Sequence, residues 1–267
     1  MNTLKGEIKR CFNAPWIWSV VMIWVVLIAA NAEPFGKWCF TEKINMRSVM
    51  VNAFHKSAIL PMSLFAVCFP YSRSYLQDQK TGYVKYQIAR SGWREYAVCR
   101  FMANALAASS CLFFAQLTFM LVSTILFPYP DIPYYSTFVF SEEYTAIAME
   151  SIFNNRPILY YLILLALQIL SSVGWSSFAL ALSTCIHNQY ITLCVPYLAY
   201  TMITILCGSS RWAYRVLQAC CFIYDGNILQ NEWIMRIGTY AVFFGAMIGV
   251  SFVLFYRRMM KYDATQR

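Results

Sequence analysis

Leu162-Ile163-Leu164-Leu165-Ala166-Leu167 lies within an apolar run from about 158 to 184, and its reading decides the fold. A transmembrane barrel strand is a segment of ~10 residues that alternates apolar and polar positions; this run is apolar without alternation. In lipid every backbone N–H and C=O must be satisfied internally, so a continuously apolar run of this length is a helix. Similar runs stand at about 16–32, 49–70, 101–127, 190–207 and 237–256, each close to the ~20 residues that cross a bilayer. The composition agrees: the 267 residues are 60% hydrophobic and 12% charged, with a mean hydropathy of +0.50, whereas soluble domains carry about 25% charged residues. The sequence predicts one all-α polytopic membrane domain over 1–267. It has six transmembrane helices, an N-terminal interfacial helix and a re-entrant or interfacial helix before the last span.

The segments around these runs refine the picture. In residues 2–14, Leu4, Ile8, Cys11 and Phe12 recur at helical spacing among Lys5, Glu7, Lys9 and Arg10. That pattern suits a helix in the membrane interface, its basic residues towards headgroups, ended by Asn13-Ala14-Pro15. Lys5, Lys9, Arg10 and a later Ala30-Asn31-Ala32 also outline a signal peptide. Glu7 interrupts its basic region, however, and Trp16, Trp18 and Trp24 are bulky for its apolar part, so the segment is expected to stay as the first span. His55 and Lys56 fall inside the second span. Either Lys56 snorkels to the outer interface, or the pair faces a polar substrate cavity. The 128–156 loop predicts a short helix over 142–153, with Ser141 as N-cap and Glu142 and Glu143 in its first turn. Trp212, Val216, Leu217, Cys220 and Ile223 give the 208–236 segment its re-entrant or interfacial helix. In the last span Ala241, Gly245 and Gly249 form a small-residue face for helix packing, within the subunit or between subunits. Most of the ten cysteines lie in spans, and nothing in their spacing pairs Cys39, Cys220 or Cys221 in a disulfide.

Charge sets the orientation. With six spans, one side of the membrane holds 13 Lys and Arg and the other 8; basic residues concentrate in cytoplasmic loops, which places both termini in the cytoplasm. The longest basic segment on that side is Ser72-Arg73-Ser74-Tyr75-Leu76-Gln77-Asp78-Gln79-Lys80-Thr81-Gly82-Tyr83-Val84-Lys85, running on to Arg90, Arg94 and Arg100. The net charge of +9 is thus a topological signal, and no aromatic–basic module for nucleic acid accompanies it. HExxH, G-x-S-x-G, Cys-x-x-Cys and G-x-x-x-x-G-K-[ST] are all missing from the sequence. Ser176 in Gly174-Trp175-Ser176 lies two to three turns from His187, which suits helix packing better than a protease dyad. The expectation is a chain with no catalytic, metal or cofactor site of its own.

The order of parts resembles the permease subunits of type-2 ABC transporters (the ABC-2, or type V, fold). The local match is Pro61 in the second span, then Asp78-Gln79-Lys80-Thr81-Gly82, Arg90, Tyr96 and Arg100. Family members often show an acid, a glycine four residues later, a short helix, and a Tyr or basic residue opening the third span. Asp78 and Gly82 fit that spacing, although Gln77-Asp78-Gln79-Lys80 stands where the family often has Glu-Arg/Lys-Glu. A second likeness is Phe178-Ala179-Leu180-Ala181-Leu182-Ser183 before the turn His187-Asn188-Gln189. The resemblance covers nearly the whole chain. It implies a multi-pass permease of a bacterial plasma (inner) membrane, exporting an amphiphilic substrate such as a peptide, lipid or drug-like molecule. ATP-Mg would be hydrolysed by a separate nucleotide-binding subunit, and a second permease subunit, identical or paralogous, would complete the assembly. Tyr75, Leu76, Asp78, Lys80, Gly82, Tyr83 and Lys85 would then couple the chain to the ATPase, with Val84 a further apolar anchor and Arg94 and Arg100 anchoring the third span. The competing readings are a channel or carrier without an ATPase, and a membrane immunity or sensor protein.

Overall fold

The computed structural model describes residues 2–31, 49, 59–127, 157–208 and 233–266. Among these residues there are nine helices and no strand. They are α1 (Asn2–Cys11), α2 (Ala14–Ala30), α3 (Ile59–Cys68), α4 (Ser74–Lys80), α5 (Tyr83–Ser91), α6 (Trp93–Leu126), α7 (Pro157–Ser183), α8 (Gln189–Gly208) and α9 (Trp233–Gln266). Three helices, α6, α7 from Tyr161 and α9 over Ile237–Lys261, are long and apolar enough to cross a membrane. A fourth crossing results if α1 and α2, bent by 46° at their break, count as one. The expected second span is described as the 10 residues of α3, and the fifth as the 20 residues of α8 with Pro196 inside it. The expected helices over 142–153 and 212–223, and the residues His55, Lys56, Cys39, Cys220 and Cys221, lie outside the described residues.

Local chemistry explains the helix ends. Pro15 sits in the first turn of α2 and Pro157 opens α7, positions where the missing N–H would have no intrahelical partner. Asn13 breaks α1 from α2 with extended backbone, and its carbonyl accepts from the Trp16 and Ile17 amides. Between α4 and α5, Gly82 takes a left-handed φ of 73°, a conformation that costs other L-residues roughly 1–2 kcal/mol. The turn thus folds as a tight corner, and Gly92, with φ 79°, makes a second one into α6.

Helix α6 is the axis of the bundle. Its buried residues recur every three to four positions and include Ala97, Ala103, Ala107, Ala108 and Ala115, small side chains that let neighbouring backbones approach. Helix α2 runs parallel to it, with Trp16 donating to Ser110 Oγ at 3.1 Å and Trp24 to Thr118 Oγ1 at 2.8 Å. Helix α7 runs antiparallel, with Ser176 donating to Asn104 at 2.9 Å and Gln116 to Gln168 at 3.0 Å. Helix α9 is also antiparallel, its Phe252 and Tyr256 meeting Phe101 and Trp93 of α6 at ring separations of 5.1 and 4.9 Å. The beginning of α6 and the ends of α7 and α9 therefore share one end of the bundle.

The small-residue face of α9 is turned outward. Ala241, Gly245 and Gly249 are exposed, and a Cβ built on either glycine meets nothing within 4 Å among the described residues. The close approach involves Gly174 of α7 instead, where a Cβ would lie 2.6 Å from both Met247 and Phe244 of α9. Two large side chains of α9 fill the space above that glycine, so at this contact the small residue is on α7.

Candidate functional site

The shared end of the bundle holds a buried ionic cluster. It is assembled from α1, the turn after α3, α4 and α6. Helix α6 is 34 residues long, about 50 Å at 1.5 Å per residue, whereas the hydrocarbon core is ~30 Å thick. A bilayer that took in the C-terminal end of α6 would leave the first turns of α6, and α1 beside them, clear of hydrocarbon. Trp16 and Trp18 of α2, one half-buried and one exposed, suit the interface level that tryptophan favours.

Arg100 is the hub. It has no solvent exposure, and its Nη1 donates to Glu7 Oε2 at 2.9 Å and approaches Asp78 Oδ2 at 2.7 Å. Arg10 grips Asp78 with both terminal nitrogens, at 3.0 and 2.6 Å, the forked geometry that guanidinium and carboxylate share. Arg10 also reaches Glu7 Oε1 at 3.4 Å. The Tyr71 hydroxyl donates to the other Glu7 oxygen, Oε2. Aromatic rings complete the shell: Arg100 lies 5.0 Å from the Tyr71 ring and 5.8 Å from that of Tyr96, and Arg10 lies 5.2 Å from that of Tyr83. Two carboxylates face two guanidiniums, so the cluster is neutral as a whole. Nε and Nη2 of Arg100 find no hydrogen-bond partner among the described residues.

Burial shapes the proton affinities. It pulls the Arg10 guanidinium down, but the hydrogen bond to Asp78 and the two carboxylates more than offset this and hold it above its ordinary value. Burial lifts the Tyr71 phenol well above its ordinary value, and Arg100 only partly draws it back. Cys11, whose thiol points at the Glu7 and Ala103 carbonyls, is pushed up to about 12 by burial.

Beside this cluster, the 74–91 segment is seated by an apolar one. Tyr75 of α4 and Val84 and Ile88 of α5 pack with Tyr96, Ala97 and Phe101 of α6, Leu180 of α7, and Phe255 and Met259 of α9. Tyr75 meets Phe255 edge-on at 5.7 Å. The segment thus bears on all three long helices at once.

The residues singled out in the sequence divide by direction. Tyr75, Leu76 and Asp78 are buried within the chain, as is Val84. Lys80, Tyr83 and Lys85 are exposed, and Gly82 makes the corner between the two helices. Tyr86, which the sequence reading passed over, is the most open large hydrophobic side chain of the segment at 75% exposure. Arg94 is exposed and lies 5.4 Å from the Trp93 ring, while Arg100 is buried in the cluster. The interfacial reading of residues 2–14 is altered too: Glu7 and Cys11 face inward and Arg10 turns to Asp78, leaving Lys5 and Lys9 outward. Glu7, Arg10 and Tyr71 were not anticipated as partners of Asp78 and Arg100. The available signal was Glu7 itself, a lone acid in a basic amphipathic helix, which has a reason to be there only if a cation meets it.

Ser176 is occupied by Asn104, and His187 is exposed in the turn after α7. Among the described residues no group of three or more His, Cys, Asp or Glu side chains is placed to hold a metal ion. No family model matches the chain, and no curated protein or solved structure matches it either.

Proposed function

We propose that the chain is the membrane-embedded permease subunit of an ABC-2 type exporter, with six spans and both termini in the cytoplasm, driven by ATP hydrolysed in a separate nucleotide-binding subunit. The observation that carries this reading is the seating of the 74–91 segment. A permease without a phosphate loop must receive motion from elsewhere, and the receiving element has to be stiff and joined to the spans. Helices α4 and α5 are short, cornered at Gly82, and held by the Tyr75–Val84–Ile88 apolar contacts and the Asp78 ion pairs. Their outward side offers Lys80, Tyr83, Lys85 and Tyr86. In this reading the inward residues Tyr75, Leu76 and Asp78 transmit force into α6, α7 and α9, and the outward ones meet the ATPase. The permease itself catalyses nothing, and its exported substrate is amphiphilic.

The test is co-purification of the tagged chain with an ATP-binding subunit from its native membrane, followed by ATPase assay. Tyr83→Ala and Tyr86→Ala should weaken that association or uncouple ATP hydrolysis, with the permease still folded. Purification without any ATP-binding protein, or coupled hydrolysis indifferent to both changes, would turn the reading towards a membrane immunity or sensor protein.

A further inference from the structure

The outward face of α1 carries charge that no described residue answers. Glu7 and Arg10 are spent in the ionic cluster. Lys5 and Lys9, four residues apart, project from the same side of the helix; both are exposed, and neither makes an ion pair or hydrogen bond among the described residues. Next to them on the helix surface are the half-buried Ile8 and the exposed Phe12, whose ring meets Trp16 at 5.4 Å. Two cations beside two apolar side chains, just beyond a tryptophan-marked interface, match a phosphate headgroup joined to acyl chains and match a free anion poorly.

We propose that Lys5 and Lys9, with Ile8 and Phe12, form a site for anionic phospholipid on the outward face of α1, and that its occupancy steadies the 74–91 segment through Glu7 and Arg10. The chain of contacts is direct: lipid on one face of α1, Arg10 on the other gripping Asp78 of α4, and Glu7 joined to Arg100 beneath it. Releasing α1 would strand Asp78 and Arg100 without half of their partners, so α1 and the segment order together. The inference needs only membrane residence, not an ATPase partner.

The experiment uses the purified full chain in uncharged detergent, with phosphatidylglycerol or phosphatidylcholine added and bound lipid counted by native mass spectrometry. Phosphatidylglycerol should be retained in preference. Lys5→Gln with Lys9→Gln should weaken its binding about 30-fold, from the contribution of two lysines near an anionic surface, whereas Lys5→Arg with Lys9→Arg should keep it. Hydrogen exchange over 74–91 should slow on adding phosphatidylglycerol to the wild-type chain and not to the glutamine variant. The site is overturned if the glutamine variant binds the lipid as wild type does. It is equally overturned if inorganic phosphate displaces the lipid, or if Arg257→Gln with Arg258→Gln, at the same end of the bundle, abolishes binding as fully. Lipid binding without any change in exchange over 74–91 overturns the link to the segment. None of these readings uses an ATP-binding subunit, so failure here and failure of the permease reading are separable.

Discussion

Helix α6 buries polar side chains in two different ways along its length. Near its start Arg100 is buried as an ion among Glu7, Asp78 and Arg10; further along, Asn104 and Gln116 are buried as neutral amides facing Ser176 and Gln168. The difference follows depth. An isolated charge in hydrocarbon is costly and rare, whereas near the headgroups water and opposite charge are within reach, and a balanced set of ions can be assembled. Neutral amides carry no net charge to desolvate, and each of these two finds one hydrogen bond across to α7. The two regions also serve different ends. Amide contacts between transmembrane helices average ~0.6 kcal/mol, enough to favour one register of α6 on α7. The ions of the cluster pair fully only when α1, α4 and α6 arrive together, and removing one member takes half of the opposite charge from its partners.

The sharpest way to break this comparison is to remove the hub. Arg100→Met should destabilise the chain by about 3–5 kcal/mol, the cost of leaving a buried ion uncompensated, read as a lower midpoint in denaturant unfolding of detergent-solubilised protein. A quadruple change of Arg100, Glu7, Asp78 and Arg10 to apolar residues of similar volume should recover much of that loss, because well-packed apolar replacements of whole buried ionic groups are often neutral or better. Next in size is Gly174→Val, which forces atoms against Met247 and Phe244 and should cost about 1–3 kcal/mol by overpacking. Gly82→Ala should cost about 1–2 kcal/mol through its left-handed backbone and loosen 74–91 in hydrogen exchange more than the bundle. A double-mutant cycle on Gln116→Leu and Gln168→Leu should return a coupling near 0.6 kcal/mol; a value as large as that of the ionic cluster would erase the contrast between the regions. The smallest effect belongs to Gly245→Ala, within about 0.5 kcal/mol, because the added Cβ meets open space.

Titration offers an independent check on the charged end. The Cys11 thiol is held neutral up to about 12 by burial. The unfolded chain, with an ordinary thiol, releases this proton first, so the contribution of Cys11 favours the fold below the ordinary thiol range and is lost as pH climbs from there towards about 12. At pH 8 a maleimide should therefore modify exposed Cys185 and spare Cys11. Arg100→Met should open Cys11 to the reagent if the cluster is what closes that end.

Much of the helical plan was legible in the residues. The runs at 16–32, 158–184 and 190–207 correspond to α2, α7 and α8 within about two residues, because unbroken apolar sequence leaves the backbone no other way to satisfy its polar groups. The run at 101–127 ends with α6, but the helix begins at Trp93: hydropathy stops at Arg94, Glu95 and Arg100, whereas helical backbone does not, and those residues extend the helix beyond its apolar run. Asp78 and Arg100 stood out by position in the sequence. Their union with Glu7 and Arg10 did not, since the partners are some 70 to 90 residues away along the chain and no local spacing encodes that meeting. The outward turn of Ala241, Gly245 and Gly249 was equally illegible, because a small-residue repeat states that close approach is allowed on a face and not that a neighbour is there.

By itself, then, the sequence determined that the chain is helical, with runs long and apolar enough for a membrane, and basic in one long segment between two apolar runs. Each of those follows from local chemistry: the apolar content of a run, the obligate hydrogen bonds of the backbone, and the placement of Lys and Arg. Tertiary structure alone decided which of the segment's residues hold it and which remain free, and that Glu7, an odd acid in a basic helix, answers Arg100. The physical reason is that burial and ion pairing are properties of neighbours in space, and for α1, α4 and α6 those neighbours are brought together only when the bundle closes.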